Sequence, residues 1–182
     1  MISHDQLDKL IWYNEATGAL TWKQRSIELF SGNSRAMKIW NTRYSGKPAL
    51  TAPHGTGYMA GSVLDKKVFA HRVAAALAFN TDDIPFVDHI NGIRHDNRKV
   101  NLRIVSDRSE NMRNMQTPKD NTSGRIGVSY AKHCDRWHAY ITANGVRCNI
   151  GWFESFEQAC VARFQKERSL NFHDNHGRSP TH

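Results

Sequence analysis

The sequence predicts an α+β protein assembled from small units instead of one large core. Three observations carry that expectation. Short apolar runs alternate with Gly and Asn turns, so hairpins recur along the chain. One span, Phe86–Asn114, reads strand, loop, strand, helix. Hydrophobic residues make up only 39% of 182 residues, with a mean hydropathy of -0.64, which suits modest cores.

Ser3 is placed to cap a helix over about Asp5–Trp12, with Leu7, Leu10 and Ile11 on one face. Asn14–Trp22 reads as a hairpin turning at Thr17-Gly18, a structural appendage. From Lys23 to Gly57 the periodicity fades and Arg25, Arg35, Lys38, Arg43 and Lys47 are scattered, which predicts a solvated loop or a basic segment tracking phosphates. Tyr58–Ala70 reads as a second hairpin, turning at Asp65-Lys66-Lys67. His71–Phe79 is an alanine-rich helix.

The central span follows. Phe86–Ile90 is a strand, Asn91-Gly92 a turn, and Leu102–Val105 a second strand. Asp107-x-x-Glu110 has the form of a capping box, so Asn111 falls in the first turns of a helix. Cutting a phosphodiester needs a cation on the phosphate and a base for the attacking water. Asp88 offers a carboxylate and Asn111 an amide oxygen, the hard donors that magnesium accepts. His89 is the natural base near neutral pH. Asn101 can hold the loop or the His89 ring. Neighbours in a regular strand point to opposite faces, so Asp88 and His89 share a site only where the strand ends or bulges.

Thr117–Ser123 reads as a linker. The remainder predicts a three-stranded antiparallel sheet packed on one helix: Ile126–Tyr130, Trp137–Ala143 and Val146–Phe153, then a helix from Ser155-x-x-Gln158 to about Leu170. A two-residue turn at Asn144-Gly145 puts Trp137, Ala139, Ile141, Val146, Cys148, Ile150 and Trp152 on one apolar face. Phe156, Cys160 and Phe164 mark the face of the helix beneath. The other face of the sheet carries Arg125, Ser129, His138, Tyr140, Thr142, Arg147 and Asn149, a set that can read base edges in a major groove. Lys132 and Arg136 at the turn are phosphate contacts. The tail, 174–182, is polar and expected to fray.

A net charge of +8 and a pI of about 9.6 favour nucleic acid as partner, since lysine and arginine release counterions condensed on phosphates. Cys134, Cys148 and Cys160 form neither a C-x-x-C pair nor an even set, which argues against a zinc ribbon and a disulfide framework. The start of the chain lacks the apolar core of a signal peptide, and no apolar run reaches membrane length. A soluble intracellular protein is expected.

His71-Arg72, VDHING at Val87–Gly92, DNR at Asp96–Arg98, NLR at Asn101–Arg103 and ENMRN at Glu110–Asn114 together resemble the HNH endonuclease family, particularly its phage and intron-encoded homing members. The likeness runs from about Leu7 to Met115 and is specific from His71 onward. It implies a ββα-metal core over about 71–116, within a nuclease domain spanning 1–116. Asp88 and Asn111 would be ligands of one divalent ion, Mg2+ or Mn2+. His89 would be the general base, and Asn101 the residue that orients the loop. Asn stands where many members carry a third His, and Asn114 rivals Asn111 as ligand. Residues 124–173 resemble the APETALA-two/ethylene-response-factor DNA-binding domain, through IGVSY, RWHAYI, IGWF, SFEQA and the closing Asn171-Phe172. Ser129 and Asn149 stand where that domain places DNA-contacting arginine or tryptophan. The expectation is a monomeric, metal-dependent, site-directed nicking endonuclease acting on double-stranded DNA, phage-encoded and cytoplasmic in a bacterial host. Its alternative is a non-catalytic DNA-binding regulator on a nuclease-like scaffold.

Overall fold

The computed structural model describes residues 2–106, 114, 115, 117, 118, 120–174, 176 and 177. It is a mixed α+β chain that divides into two compact units, 1–105 and 106–182. The division after Val105 differs from the one expected after residue 116.

In the first unit, α1 (His4–Leu10) opens with a full capping box: Gln6 donates its backbone N–H to Ser3, and Ser3 N–H donates to the Gln6 side chain. The helix stops before the expected Trp12. Ile11 turns extended and enters β1 (Ile11–Tyr13), paired antiparallel with β2 (Leu20–Trp22). Ile11 is wholly buried, a burial that stabilises by about 1.5–3 kcal/mol.

The stretch expected to be loop is structured. A short 3-10 turn (Ile27–Phe30) leads into α2 (Ser34–Tyr44), capped by Asn33, which accepts from Ala36 N–H. No residue of α2 is fully buried, so its apolar stripe is narrow and weakly marked. It is held instead by Trp40, which packs on Trp22, Phe30 and Tyr44 and under the Arg25 guanidinium at 3.8 Å. The spacing of Met37, Trp40 and Tyr44, three and then four residues apart, was the available signal.

A three-stranded sheet, β3 (Ala52–Pro53), β4 (Met59–Val63) and β5 (Lys66–Phe69), follows. Its β4–β5 turn lies at Leu64-Asp65, both at positive φ, one step earlier than the sequence suggested. The central helix α3 (Ala70–Phe79) is buried along most of its length. Its alanines let β1, β4 to β7 and α1 approach closely. Strands β6 (Phe86–His89) and β7 (Leu102–Val105) pair in regular register, Asp88 opposite Arg103 and His89 opposite Leu102. The helix expected from Asp107 lies outside the described residues.

In the second unit, β8 (Val128–Ala131), β9 (Arg136–Ala143) and β10 (Val146–Phe153) form one antiparallel sheet against α4 (Phe156–Ser169). The expected two-residue turn is present, with Asn144 and Gly145 both at positive φ. The expected alternation fails midway along β10. A bulge at Ile150 shifts the register between Asn149 and Gly151, so Phe153 opposes Trp137 and Trp152 opposes His138. Phe153 therefore joins the core, and Trp152 leaves it, at 42% exposure. Phe164, also expected inside, is half exposed. The buried helix positions are Ala159, Arg163 and Glu167.

Arg163 and Glu167 form a buried ion pair at 2.9 Å, and Glu167 also takes Arg125. His176 packs beside them, buried. Within the stretch expected to fray, His176 is buried and Gly177 N–H donates to Met115 O at 2.8 Å.

The first hairpin also does more than decorate. Gly18, at φ +75°, lies so close to the chain at Asn97-Arg98 that a Cβ would stand 2.6 Å from Asn97 C and Arg98 N. Gly18→Val should cost about 3 kcal/mol or more, combining positive-φ strain with backbone displacement. Urea unfolding monitored by tryptophan fluorescence would read it, and a cost below half that value would show that the hairpin yields freely.

Candidate active site and nucleic-acid face

His89 ends β6 and is 4% exposed. Its Nε2 lies 3.2 Å from Asn97 Oδ1. An amide oxygen only accepts, so this bond assigns the hydrogen to Nε2 and the lone pair to Nδ1. Asn97 was not singled out from sequence. Its place in the DNR motif, between an Asp and an Arg, was the only signal.

The loop that carries Asn97 is pinned at several points. Asn101, 4% exposed, accepts Asn91 N–H at 2.8 Å and donates to Asp96 O at 2.7 Å. Of the two expected roles for Asn101, it therefore performs the loop-holding one. Asp96 accepts from Arg98 at 2.8 and 2.6 Å and from Asn91 at 2.7 Å. With the Arg98 bonds as the largest cause, its carboxyl is held down at about 2. From the first hairpin, Tyr13 OH donates to Asn97 O at 2.8 Å. Burial, then the charges of Glu15 and Asp96, push that phenol up to about 12. Lys99 binds Glu15 through both backbone and side chain.

Asp88 stands next to His89, but the regular register sends their side chains to opposite faces of the β6–β7 ribbon. Arg103 donates twice to Asp88 Oδ2, at 2.9 and 2.7 Å. The strand does end at His89, where Gly92 N–H turns back to His89 O at 2.8 Å, as a shared site requires. Asn111 lies outside the described residues. Asn114 is buried in the second unit. Asp88 offers a hard oxygen donor, and a hydrated Mg2+-type ion takes only one or two ligands from protein. No group of three or more His, Cys, Asp or Glu suited to a metal occurs among the described residues.

Behind His89 lies an aromatic wall. His71 packs on Tyr58 at 4.3 Å and meets the His89 ring edge-to-face at 5.6 Å. His71 is pushed down to about 3, by burial first and then by His89 and Arg72. His89 is also lowered, chiefly by burial, with the Asn97 bond, Asp88 and Asp96 opposing and Arg94 adding to the fall. Both imidazoles are neutral at pH 7. Arg72 ties the approach to β6 by donating to the Ile84 and Pro85 carbonyls.

On the second unit, Ser129, Lys132, Arg136, Thr142, Arg147 and Asn149 are exposed, with His138 and Tyr140 half-buried among them. The cross-strand register places Ser129, His138 and Asn149 on the outer face of the sheet. Arg125 is not on that face: it is drawn to Glu167 on the helix side. Two groups that sequence reasoning did not place there complete the surface. Trp152 stacks on His138 at 4.4 Å, and His133 meets Trp152 edge-on at 6.1 Å. Arg147 lies 3.7 Å over the Tyr140 ring, and His138 Nε2 is 2.9 Å from Asn149 Oδ1. Only the Ile150 bulge brings Trp152 to this side.

A histidine whose folded pKa lies below its unfolded value near 6.5 binds fewer protons folded than unfolded between those two pH values. Its contribution to stability is complete above about pH 6.5 and declines as pH falls through that window. The first unit should therefore lose on the order of 1 kcal/mol per pH unit below pH 6 from His71. His71→Phe, which keeps a ring against Tyr58, should flatten that slope. Thermal unfolding of both proteins from pH 7 to pH 4.5 checks it, and equal slopes would remove His71 as the cause.

One curated relative matches part of the chain. Protein 3.8 of Escherichia phage T7 is 41% identical over 65 residues, which is 36% of this chain and 53% of that protein. The chain thus spans about half the length of the relative it matches. No family model matches the chain, and no solved structure does.

Proposed function

We propose that this protein is a divalent-metal-dependent DNA endonuclease, of the HNH type its motifs resemble. The observation that carries the reading is His89: a buried, neutral imidazole at a strand end, oriented by Asn97, one residue from the Asp88 carboxylate. Nδ1 is the atom that would take the proton from the attacking water. Asp88, with Asn111, would hold a Mg2+ or Mn2+ ion. That ion supplies charge neutralisation at the scissile phosphate and its leaving oxygen. Asn101 keeps the loop closed around His89.

DNA would be held by the outer face of the β8–β10 sheet, where Arg147 and Asn149 can read base edges and Lys132 and Arg136 meet phosphates. The net charge of +8 supports a polyanionic partner. No helix among the described residues is long and apolar enough to cross a membrane. A phage relative supports a phage-encoded protein working in the host cytoplasm. One active site per chain suits a monomer that nicks one strand.

A second reading, a DNA-binding regulator without catalysis, is favoured by one contact. Arg103 neutralises the Asp88 carboxylate that the ion would use. Supercoiled plasmid carrying the gene's own flanking DNA, incubated with Mg2+ or Mn2+, separates the two. The endonuclease should convert it to open circle, EDTA should abolish this, and His89→Ala should slow it at least about 100-fold. Plasmid left supercoiled under every metal would leave the regulator.

The sheet has its own test by electrophoretic mobility shift. Arg147→Ala should cost about 1–3 kcal/mol of binding to that DNA. Trp152→Ala should weaken it too, since it removes the ring on which His138 rests. Unchanged affinity in both variants would return this face to ordinary solvated surface.

A further inference from the structure

We propose that Arg94 is the phosphate anchor of the candidate site: its guanidinium grips a substrate phosphodiester beside His89 and offsets part of the negative charge that develops on the phosphate oxygens as the strand is cut. This deepens the endonuclease reading and rests on it.

The arginines of the β6–β7 region divide sharply. Arg98 is bonded to Asp96 and Arg103 to Asp88. Arg94 has no carboxylate within ion-pair distance among the described residues. The nearest candidate in sequence, Asp96, is already taken by Arg98 and Asn91. Arg94 is exposed, so its charge faces solvent.

Yet Arg94 is not a loose surface side chain. Its Nη1 donates to the Thr56 carbonyl. Its Cζ lies 5.3 Å from the Tyr58 ring centroid. The Tyr58 ring in turn lies 5.9 Å from the His89 ring and 4.3 Å from His71. Gly57, at φ +81°, sits against the side chain: a Cβ there would stand 3.5 Å from Arg94 Cδ and Nη1. The turn offering Thr56 is itself fixed, by His54 N–H to Tyr58 O and Gly57 N–H to His54 O, both 2.8 Å.

One edge of the guanidinium is thus spent on positioning, and among the described residues Nη1 is the only one of its nitrogens so bonded. The remaining donors form a planar fork, the shape that matches two oxygens of a phosphate. A cation held in place before the substrate arrives costs no reorganisation at the moment of reaction. Phosphoryl transfer spreads charge over the equatorial oxygens, where a fork of this kind acts. Two different elements, the His54–Tyr58 turn and the β6–β7 loop, are needed to build this arrangement. Solubility alone does not require that.

Single-turnover cleavage of a short DNA duplex at saturating protein tests it, with Arg94→Ala and Arg94→Lys compared with the natural chain. Arg94→Ala should lower the saturating rate about 100-fold, with duplex affinity changed less than about threefold and thermal unfolding unchanged. Arg94→Lys should recover only part of the rate, because a point charge lacks the fork. A saturating rate equal to that of the natural chain in Arg94→Ala, or loss of affinity alone, would overturn the proposal. Should the natural chain not cut at all, the endonuclease reading fails, and the anchor is decided separately. Inorganic phosphate would then be titrated into the labelled protein while following the Arg94 Nε–Hε resonance, identified by its disappearance in Arg94→Lys. Saturable movement of that resonance keeps the anion site. A resonance that phosphate does not move ends it.

Discussion

A buried imidazole must place its N–H somewhere, and in this chain it goes to Asn97. The β6–β7 loop and the contacts that hold it are arranged around that bond. An unpaired ring nitrogen in the interior costs on the order of 1–3 kcal/mol, so Asn97 must stay within reach. Asn97 sits in a loop, and loops drift unless tied. Asn101 closes the loop from below, Tyr13 and Glu15 hold it from the first hairpin, and Gly18 permits the close approach. The hairpin expected to be an appendage is one wall of the candidate site.

Charge is sorted with the same economy. Three acidic groups near the loop and ribbon, Asp88, Asp96 and Glu15, are each matched by a cation, Arg103, Arg98 and Lys99. The exposed pairs contribute little to stability, about 0–1 kcal/mol each. Their effect is to cancel negative charge around the candidate site. Arg94 is left over, held by a carbonyl and a ring. In the second unit the logic is reversed. Arg125 and Arg163 are drawn inward onto buried Glu167, whose carboxyl burial pushes up against the pull of both arginines. The outer face keeps Arg136 and Arg147. Breaking a buried pair by removing one partner costs about 3–5 kcal/mol, so this inward network organises the helix–sheet seam and is not part of a binding surface.

Local signals were read well where the chain's own chemistry decides the outcome. The Ser3 and Ser155 caps, the Asn144-Gly145 turn, the β7 strand and the loop-closing Asn101 all depend on neighbours a few residues away. The failures share another cause. Helix α2 has no buried stripe, and its stability comes from one tryptophan meeting residues of β2 and the preceding turn. The face of Trp152 was reversed by a single bulged residue. Strand alternation has a period of two, so one extra residue exchanges every later position. The glycine after Ile150 was the local hint.

The sequence by itself determined the classes of chemistry on offer: a strongly basic chain, an Asp88-His89 pair at a strand end, and an Asn-rich loop between two strands. These depend on residue type and short spacing, which are local. The tertiary structure decided which of those groups meet. It brought Asn97 to His89, Arg103 to Asp88 and Glu167 to Arg125, and among the described residues it left Arg94 without a carboxylate. Pairings of that kind depend on which distant segments pack together and on how much water they exclude. A buried bond and a solvated one can join the same two residue types and have very different energies.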